Sequence, residues 1–163
     1  MDIAVVVGNP RPRSRTFDAA TRIASALAGR PAAVEIDLVD LGPGLLSWGD
    51  PATADAVKAV CACEAAIFAS PTFKATYSGL LKLFLDQIPA GGLAGTVALP
   101  LMLGAGMRHA LAPELLLKPV LVELGAICPT RGLYLLDSDY ESPAELQPWL
   151  DDAVRFTQRT VTP

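Results

Sequence analysis

Ser70-Pro71-Thr72-Phe73-Lys74-Ala75-Thr76-Tyr77-Ser78-Gly79-Leu80-Leu81-Lys82-Leu83-Phe84-Leu85-Asp86 is the stretch whose reading decides the fold. The run before it, Ala65 to Ala69, is apolar and short enough for a buried strand, and Leu80 to Ile88 is apolar over a length that suits a helix. The polar part between them therefore stands where a strand hands over to a helix. In an open α/β sheet that handover, at the carboxyl end of a strand, is where ligands bind. Backbone amides and hydroxyls from Ser70 to Ser78 can hold the edge of a heteroaromatic ring while Phe73 and Tyr77 contact its face. Taken singly, each aromatic reads equally well as packing. Lys74 reads as a solvated lysine or as a partner for a cofactor phosphate. Ser78 begins the helix, and Gly79 lets the backbone lie close to a flat ring.

Upstream, Ile3 to Val7 is a β-branched run without alternation, the pattern of a central strand buried on both faces. It ends at Gly8. Asn9 to Thr16 holds two prolines, three arginines and two hydroxyls, so regular structure resumes only with the helical pattern from Thr16 to Ala28. A polar loop feeding a helix N-terminus gathers unpaired N–H groups and the positive end of the helix dipole. Arg11, Arg13, Ser14 and Thr16 would add charge and hydroxyls for a terminal phosphate monoester; alternatively Ser14 or Thr16 caps the helix and the arginines are solvated. No Walker lysine motif and no GxGxxG is present, so an ATP or Rossmann dinucleotide site is not indicated. Val34 to Val39 alternates as a strand nearer the edge, Gly42 to Pro51 reads as a loop with Trp48 as a lid over the core, and Ala54 to Glu64 has helical spacing.

Downstream, Lys82 and Asp86 can pair on the helix surface, and the apolar character of Leu80 to Ile88 nearly all round points to a second buried face against another subunit. Pro89 to Gly95 is a turn cluster, Thr96 to Leu103 a fourth buried strand, and Gly104-Ala105-Gly106 ends it with glycines that permit close ligand approach and positive φ. His109 is the sole histidine and is read as a capping, packing or pocket-lining residue. The segment Met107 to Leu124 reads as a helix kinked or broken by Pro113 and Pro119. Ala126 to Cys128 starts a fifth strand that reappears near Gly132 to Leu136, and Ser142-Pro143-Ala144-Glu145 reads as a capping box opening a helix to about Arg159.

The chain's 163 residues match one domain that buries about two-thirds of its unfolded surface. It is 52% hydrophobic with a mean hydropathy of +0.39, yet no apolar run reaches the ~18 residues of a membrane span. The apolar excess fits a doubly covered sheet or a subunit interface. A net charge of −4 with scattered basic residues excludes a nucleic-acid footprint and a polybasic membrane patch. The strand-like start at Ile3 without a signal-peptide pattern places the protein in the cytoplasm by default. Cys61, Cys63 and Cys128 lack CxxC spacing and read as buried thiols rather than as a disulfide or metal site.

The Ser70–Asp86 run resembles the NAD(P)H-dependent FMN reductases of flavodoxin-like fold, most closely the flavin reductase partners of two-component alkanesulfonate monooxygenases. Those proteins carry Ser/Thr-Pro-x-Tyr/Phe-Lys-x-x-Tyr-Ser-Gly-x-Leu-Lys-x-x-Leu-Asp at this place. Two further blocks agree: Gly8-Asn9-Pro10-Arg11 with Ser14 and Thr16, and Leu99-Pro100-Leu101 leading to Gly104, His109 and Leu117-Lys118-Pro119-Val120-Leu121. The resemblance covers the chain to about Gly125. It implies an α/β, flavodoxin-like three-layer sandwich whose five-stranded parallel sheet has the order 2-1-3-4-5 with helices on both faces. The loops after strands one, three and four then converge on FMN, held by Asn9, Arg11, Ser14, Thr16, Pro71, Thr72, Phe73, Lys74, Tyr77, Ser78, Gly104, Ala105 and Gly106. No side chain is assigned to catalysis, with His109 and Lys74 as pocket candidates only. The implied activity is hydride transfer from NADPH or NADH to FMN, with reduced FMN passing to a partner monooxygenase; alternatives are an FMN-bound quinone or azo reductase and a flavodoxin-like electron carrier. A homodimer or homotetramer is expected. In that family the helix after the fourth strand carries a tyrosine-associated π-bulge at the subunit interface, and the matching position here is Leu117.

Overall fold

The computed structural model describes residues 1–159. Its centre is an all-parallel sheet in the order β2-β1-β3-β4-β5, with β1 Ile3–Val7, β2 Val34–Asp37, β3 Ala65–Pro71, β4 Val97–Gly104 and β5 Leu133–Leu136. The continuous apolar runs of β1, β3 and β4 are buried on both faces, as parallel strands under helices must be. One face packs Ile3, Val5, Val7, Ile67 and Leu101 against α1 (Arg15–Ala28) and α5 (Leu146–Arg159). The other packs Val6, Phe68 and Met102 against α2 (Pro51–Cys61), α3 (Gly79–Leu85) and α4 (Lys118–Glu123). Val7 is in register with Asp37 on one side and Ala69 on the other, and Ala69 with Leu101, so β3 continues to Pro71 and β4 to Gly104 past the ends of β1 and β2, and the loops that follow leave from the same edge of the sheet.

Several boundaries differ from the sequence expectation. The second strand stops at Asp37, and Leu38–Leu46 forms two short 3₁₀ turns meeting at Gly42 instead of more strand and a loop, because Leu38 and Leu45 turn inward to the core. The next helix starts earlier than Ala54: Asp50 accepts the Thr53 N–H (2.9 Å) and Pro51 takes the first turn, where its missing N–H costs nothing. Trp48 is no lid, since it is 77% exposed. The segment from Met107, expected as a helix kinked or broken near Pro113 and Pro119, is a 3₁₀ turn (Met107–His109), a π-turn (Pro113–Leu117) and α4. Ala126 to Cys128 contributes a single bridge, Ile127 to Val97, rather than the start of a strand. Ser142 does not open the last helix; Leu146 N–H first closes a turn on Pro143 O (3.1 Å), and the helix begins there.

The π-turn forms with Leu117 rather than tyrosine at the matching position, and Leu117 is fully buried. Its closure is Lys118 N–H to Pro113 O. Glu114 and Lys118 clamp it to the chain before β5: Lys118 Nζ donates to Glu114 Oε1 (2.8 Å) and Thr130 O (2.9 Å), and Glu114 Oε2 accepts Gly132 N–H (2.6 Å). Burial works to raise the Glu114 pKa, but those bonds outweigh it and hold the carboxyl below its ordinary value. The second face of α3 is half-covered at Leu80 and Leu83 by the core; six of the large exposed apolar side chains lie instead on one later segment, at Met107, Leu111, Leu115, Leu116, Val122 and Ile127. The three cysteines are free thiols, and burial pushes Cys128 up to about 11, which leaves almost no thiolate near neutrality. No helix among the described residues is long and apolar enough to cross a membrane.

Candidate functional site

The first loop is short of backbone donors, because Pro10 and Pro12 have none. Asn9 supplies order: its Oδ1 accepts Arg11 N–H (2.9 Å) and its Nδ2 donates to Thr16 Oγ1 (3.1 Å). Ser14 caps α1 by accepting Phe17 N–H at 3.2 Å. The N–H groups of Arg15 and Thr16, in the first turn, have no acceptor within the helix. Arg11 and Arg15 face the adjoining cleft, and neither has an ion-pair partner among the described residues. Arg13 does not join them. Its guanidinium lies over the Phe17 ring (4.6 Å) and pairs with Asp40 (3.6 Å), and its N–H bonds Asp37 Oδ2 (2.8 Å). Burial raises the Asp37 pKa and the charge of Asp40 adds to it, against the opposing Arg13 N–H and guanidinium.

The second loop folds back as a two-residue hairpin, with Phe73 N–H to Thr76 O (2.9 Å) and Thr76 N–H to Phe73 O (3.1 Å). Lys74 (φ 51°) and Ala75 (φ 70°) occupy its tip in the left-handed region that such a turn requires and that favours glycine. Ala75→Gly is therefore expected to stabilise the fold by about 0.5–1 kcal/mol, the relief of strain less the added entropy of the unfolded chain. A thermal melt should rise by roughly 2 °C; a fall would show that the hairpin does not carry this strain. The strain presents Phe73, 48% exposed, while Lys74 is exposed and Tyr77 packs half-buried on the core. Ser70 and Ser78 are spent inside the protein: Ser78 N–H donates to Ser70 Oγ (2.8 Å), and Ser78 Oγ donates to Gly8 O (2.5 Å) and accepts Leu81 N–H (3.1 Å). Ser78 thus ties the first loop to α3 from a buried position.

The third loop also differs from expectation. Neither Gly104 nor Gly106 has a positive φ; Gly106 is extended (φ −167°). A Cβ on Gly104 would stand 2.0 Å from Tyr134 Oη and 3.2 Å from Thr72 Oγ1, so the glycine makes room for a tyrosine. Tyr134 Oη donates to Gly106 O (2.9 Å) and props the ledge of Gly104, Ala105 and Gly106. Thr72 Oγ1, at the junction of the second and third loops, is buried without a partner among the described residues.

A cleft of about 340 Å³ lies between the first and second loops, lined by Asn9, Pro10, Arg11, Ser14, Arg15, Thr16, Pro71, Phe73 and Asp137. Of the predicted set it gathers Asn9, Arg11, Ser14, Thr16, Pro71 and Phe73; Thr72, whose N–H bonds Leu103 O (2.7 Å), and Gly104, Ala105 and Gly106 are not among its lining residues. Tyr77, Ser78 and Lys74 do not line it. His109 belongs to a second hollow of about 360 Å³, with Arg108, Met107 and Leu111, and the hairpin separates the two, Phe73 on one side and Ala75 on the other. Sequence reasoning missed Arg15, Asp137 and Tyr134. Arg15 was legible as the first residue of the helix after the Ser14 cap; Asp137 and Tyr134 arrive from β5 and carry no local signal. Two unpaired arginines, a helix N-terminus and an exposed aromatic face in one cleft suit a ligand with an anionic monoester at one end and a flat ring at the other.

A family model described as NADPH-dependent FMN reductase matches residues 1–141. An FMN reductase (NADPH) of Escherichia coli strain K12 is 32% identical over 155 residues, 91% of this chain and 81% of the relative. An NADH-dependent FMN reductase SfnF of Pseudomonas fluorescens is 29% identical, covering 85% and 77%. Among solved structures, the apo form of an NADH:FMN oxidoreductase (EMOB) superposes with a TM-score of 0.87 at 30% identity, covering 99% of this chain and 90% of that one. A flavodoxin from Pseudomonas aeruginosa, at 21% identity and a TM-score of 0.66, shares the fold.

Proposed function

The chain belongs to the NADPH-dependent FMN reductase family, and from that premise we propose that it works as a single flavin-binding domain whose reduced FMN leaves for a separate monooxygenase. The observation that carries the site is the cleft in which Arg11, Arg15 and the start of α1 stand unpaired beside Pro71 and Phe73. The residues present fit FMN: the arginines and the free amides of Arg15 and Thr16 would hold its phosphate, Phe73 would cover its ring, and the orphaned Thr72 Oγ1 offers a hydrogen bond at the ring edge. When bound, the flavin supplies the redox chemistry, taking hydride from the nicotinamide at N5. The chain's part is to bind and orient, and no protein acid is needed for that transfer. His109 and Lys74 stand across or on the hairpin, where they would meet the second nucleotide rather than the flavin phosphate.

The test is steady-state oxidation of NADPH and of NADH with FMN, riboflavin and a quinone as varied acceptors. We expect turnover with FMN. Arg15→Ala should raise the FMN KM roughly tenfold, the loss of one charge-assisted hydrogen bond, and leave the riboflavin KM unchanged. Turnover with a quinone but not with free FMN would replace this reading by that of an FMN-bound acceptor reductase. The monooxygenase step rests on the sequence resemblance, and retention of reduced FMN through gel filtration would argue against it.

A homodimer or homotetramer completes the proposal, supported by the apolar side chains left exposed between Met107 and Ile127, more than a lone surface usually presents in one segment. Sedimentation equilibrium at micromolar concentration should report at least a dimer. A monomer would reject it.

A further inference from the structure

We propose that Asp37 is the positioning residue of the first loop, fixing through Arg13 the angle at which the N-terminus of α1 meets the flavin phosphate; this rests on reading the cleft as the FMN phosphate site. Asp37 is the last residue of β2, level with Val7, and is only 3% exposed. Its Oδ2 accepts Arg13 N–H (2.8 Å), and its Oδ1 has no partner among the described residues. A buried carboxylate with one oxygen unsatisfied is a costly way to stabilise a fold.

What it secures is local. With Pro10 and Pro12 lacking N–H groups, the loop between Asn9 and Ser14 has just two backbone donors, Arg11 and Arg13. Asn9 holds the first and Asp37 the second. Arg13 sits at φ 49°, a conformation a residue with a Cβ adopts only when something outside holds it. It immediately precedes Ser14, the cap from which the amides of Arg15 and Thr16 project. The charged groups facing Asp37 are Arg13 and Asp40. By engaging Arg13, these two carboxylates withdraw one of three arginines and leave Arg11 and Arg15 for the cleft.

Binding of FMN and of riboflavin, followed by quenching of flavin fluorescence on the full chain, separates this role from a general structural one. Asp37→Ala should weaken FMN on the order of tenfold, the loss of a hydrogen bond to a charged acceptor, while riboflavin, which lacks the phosphate, binds as before. Asp37→Asn, whose amide oxygen can still accept Arg13 N–H, should keep most of the FMN affinity. Arg13→Gly in the Asp37→Ala background should recover part of it, because glycine takes the left-handed conformation unaided. Should Asp37→Ala not fold, Arg13→Val with Asp37 intact gives the same readout, since a branched side chain resists that conformation. Equal weakening of both flavins, an Asn variant as weak as the Ala variant, or unaltered FMN binding in Asp37→Ala would overturn the proposal. A wild-type chain that binds FMN no better than riboflavin would instead overturn the reading of the cleft.

Discussion

Gly8→Ala is expected to destabilise the protein by about 2–3 kcal/mol and to cost it most of its affinity for FMN. A Cβ at this position would lie 2.5 Å from Leu81 Cβ and 2.9 Å from Leu81 Cα and N, and backbone cannot give way as a side-chain tip can. Leu81 has no freedom to retreat, being fully buried with its N–H held by Ser78 Oγ. Gly8 is fixed just as firmly, through its N–H to Ala69 O (2.9 Å) and its carbonyl to Ser78 Oγ. The added methyl must therefore push α3 from the end of β1, and the first and second loops move apart with it. Both contribute to the cleft, Arg11 and Arg15 from one and Pro71 and Phe73 from the other. A thermal melt should fall by roughly 5–10 °C, and FMN titration should weaken in parallel. A variant that melts and binds like wild type would show that the junction of β1 with α3 is softer than its hydrogen bonds indicate.

The parts of this architecture that depend on runs of like residues were readable from the sequence. β1, β3 and β4 announce themselves because a strand covered on both faces has to be apolar without interruption. The irregular first loop does so because two prolines forbid anything regular. The Asp50-Pro51 helix start was also written locally, as a capping residue followed by proline, and helical spacing alone placed it too late. Other features have no local expression. That Asp37 holds Arg13, or that Tyr134 fills the space above Gly104, depends on which strands are neighbours and in what register. The π-turn likewise is fixed by Glu114 and Lys118 reaching Thr130 and Gly132. A tyrosine at position 117 is not needed for it. The same limit explains why the glycines after β4 read as a platform for a ligand: the sequence shows that a side chain is missing, not what occupies its place.

Gly104→Ala distinguishes those two reasons for a glycine. If the space served a flavin alone, the variant would bind FMN poorly and melt as wild type does. The packing gives a different expectation, because the new Cβ would stand 2.0 Å from Tyr134 Oη and 2.9 Å from Tyr134 Cζ. Tyr134 is 8% exposed and bonded to Gly106 O, so it can move only by breaking that bond and disturbing the core beneath. The flavin-free protein should lose about 2–4 kcal/mol, from overpacking and one lost hydrogen bond together. Tyr134→Phe alone should cost about 1 kcal/mol, the bond to Gly106. In the double variant the hydroxyl that makes the worst contact is gone, so the loss should be smaller than the two single losses added, with the remaining approach to the ring keeping it above zero. Chemical denaturation of the four proteins without flavin measures that coupling directly. Strict additivity, or a Gly104→Ala protein as stable as wild type, would return the glycine to the ligand and leave the tyrosine as a bystander.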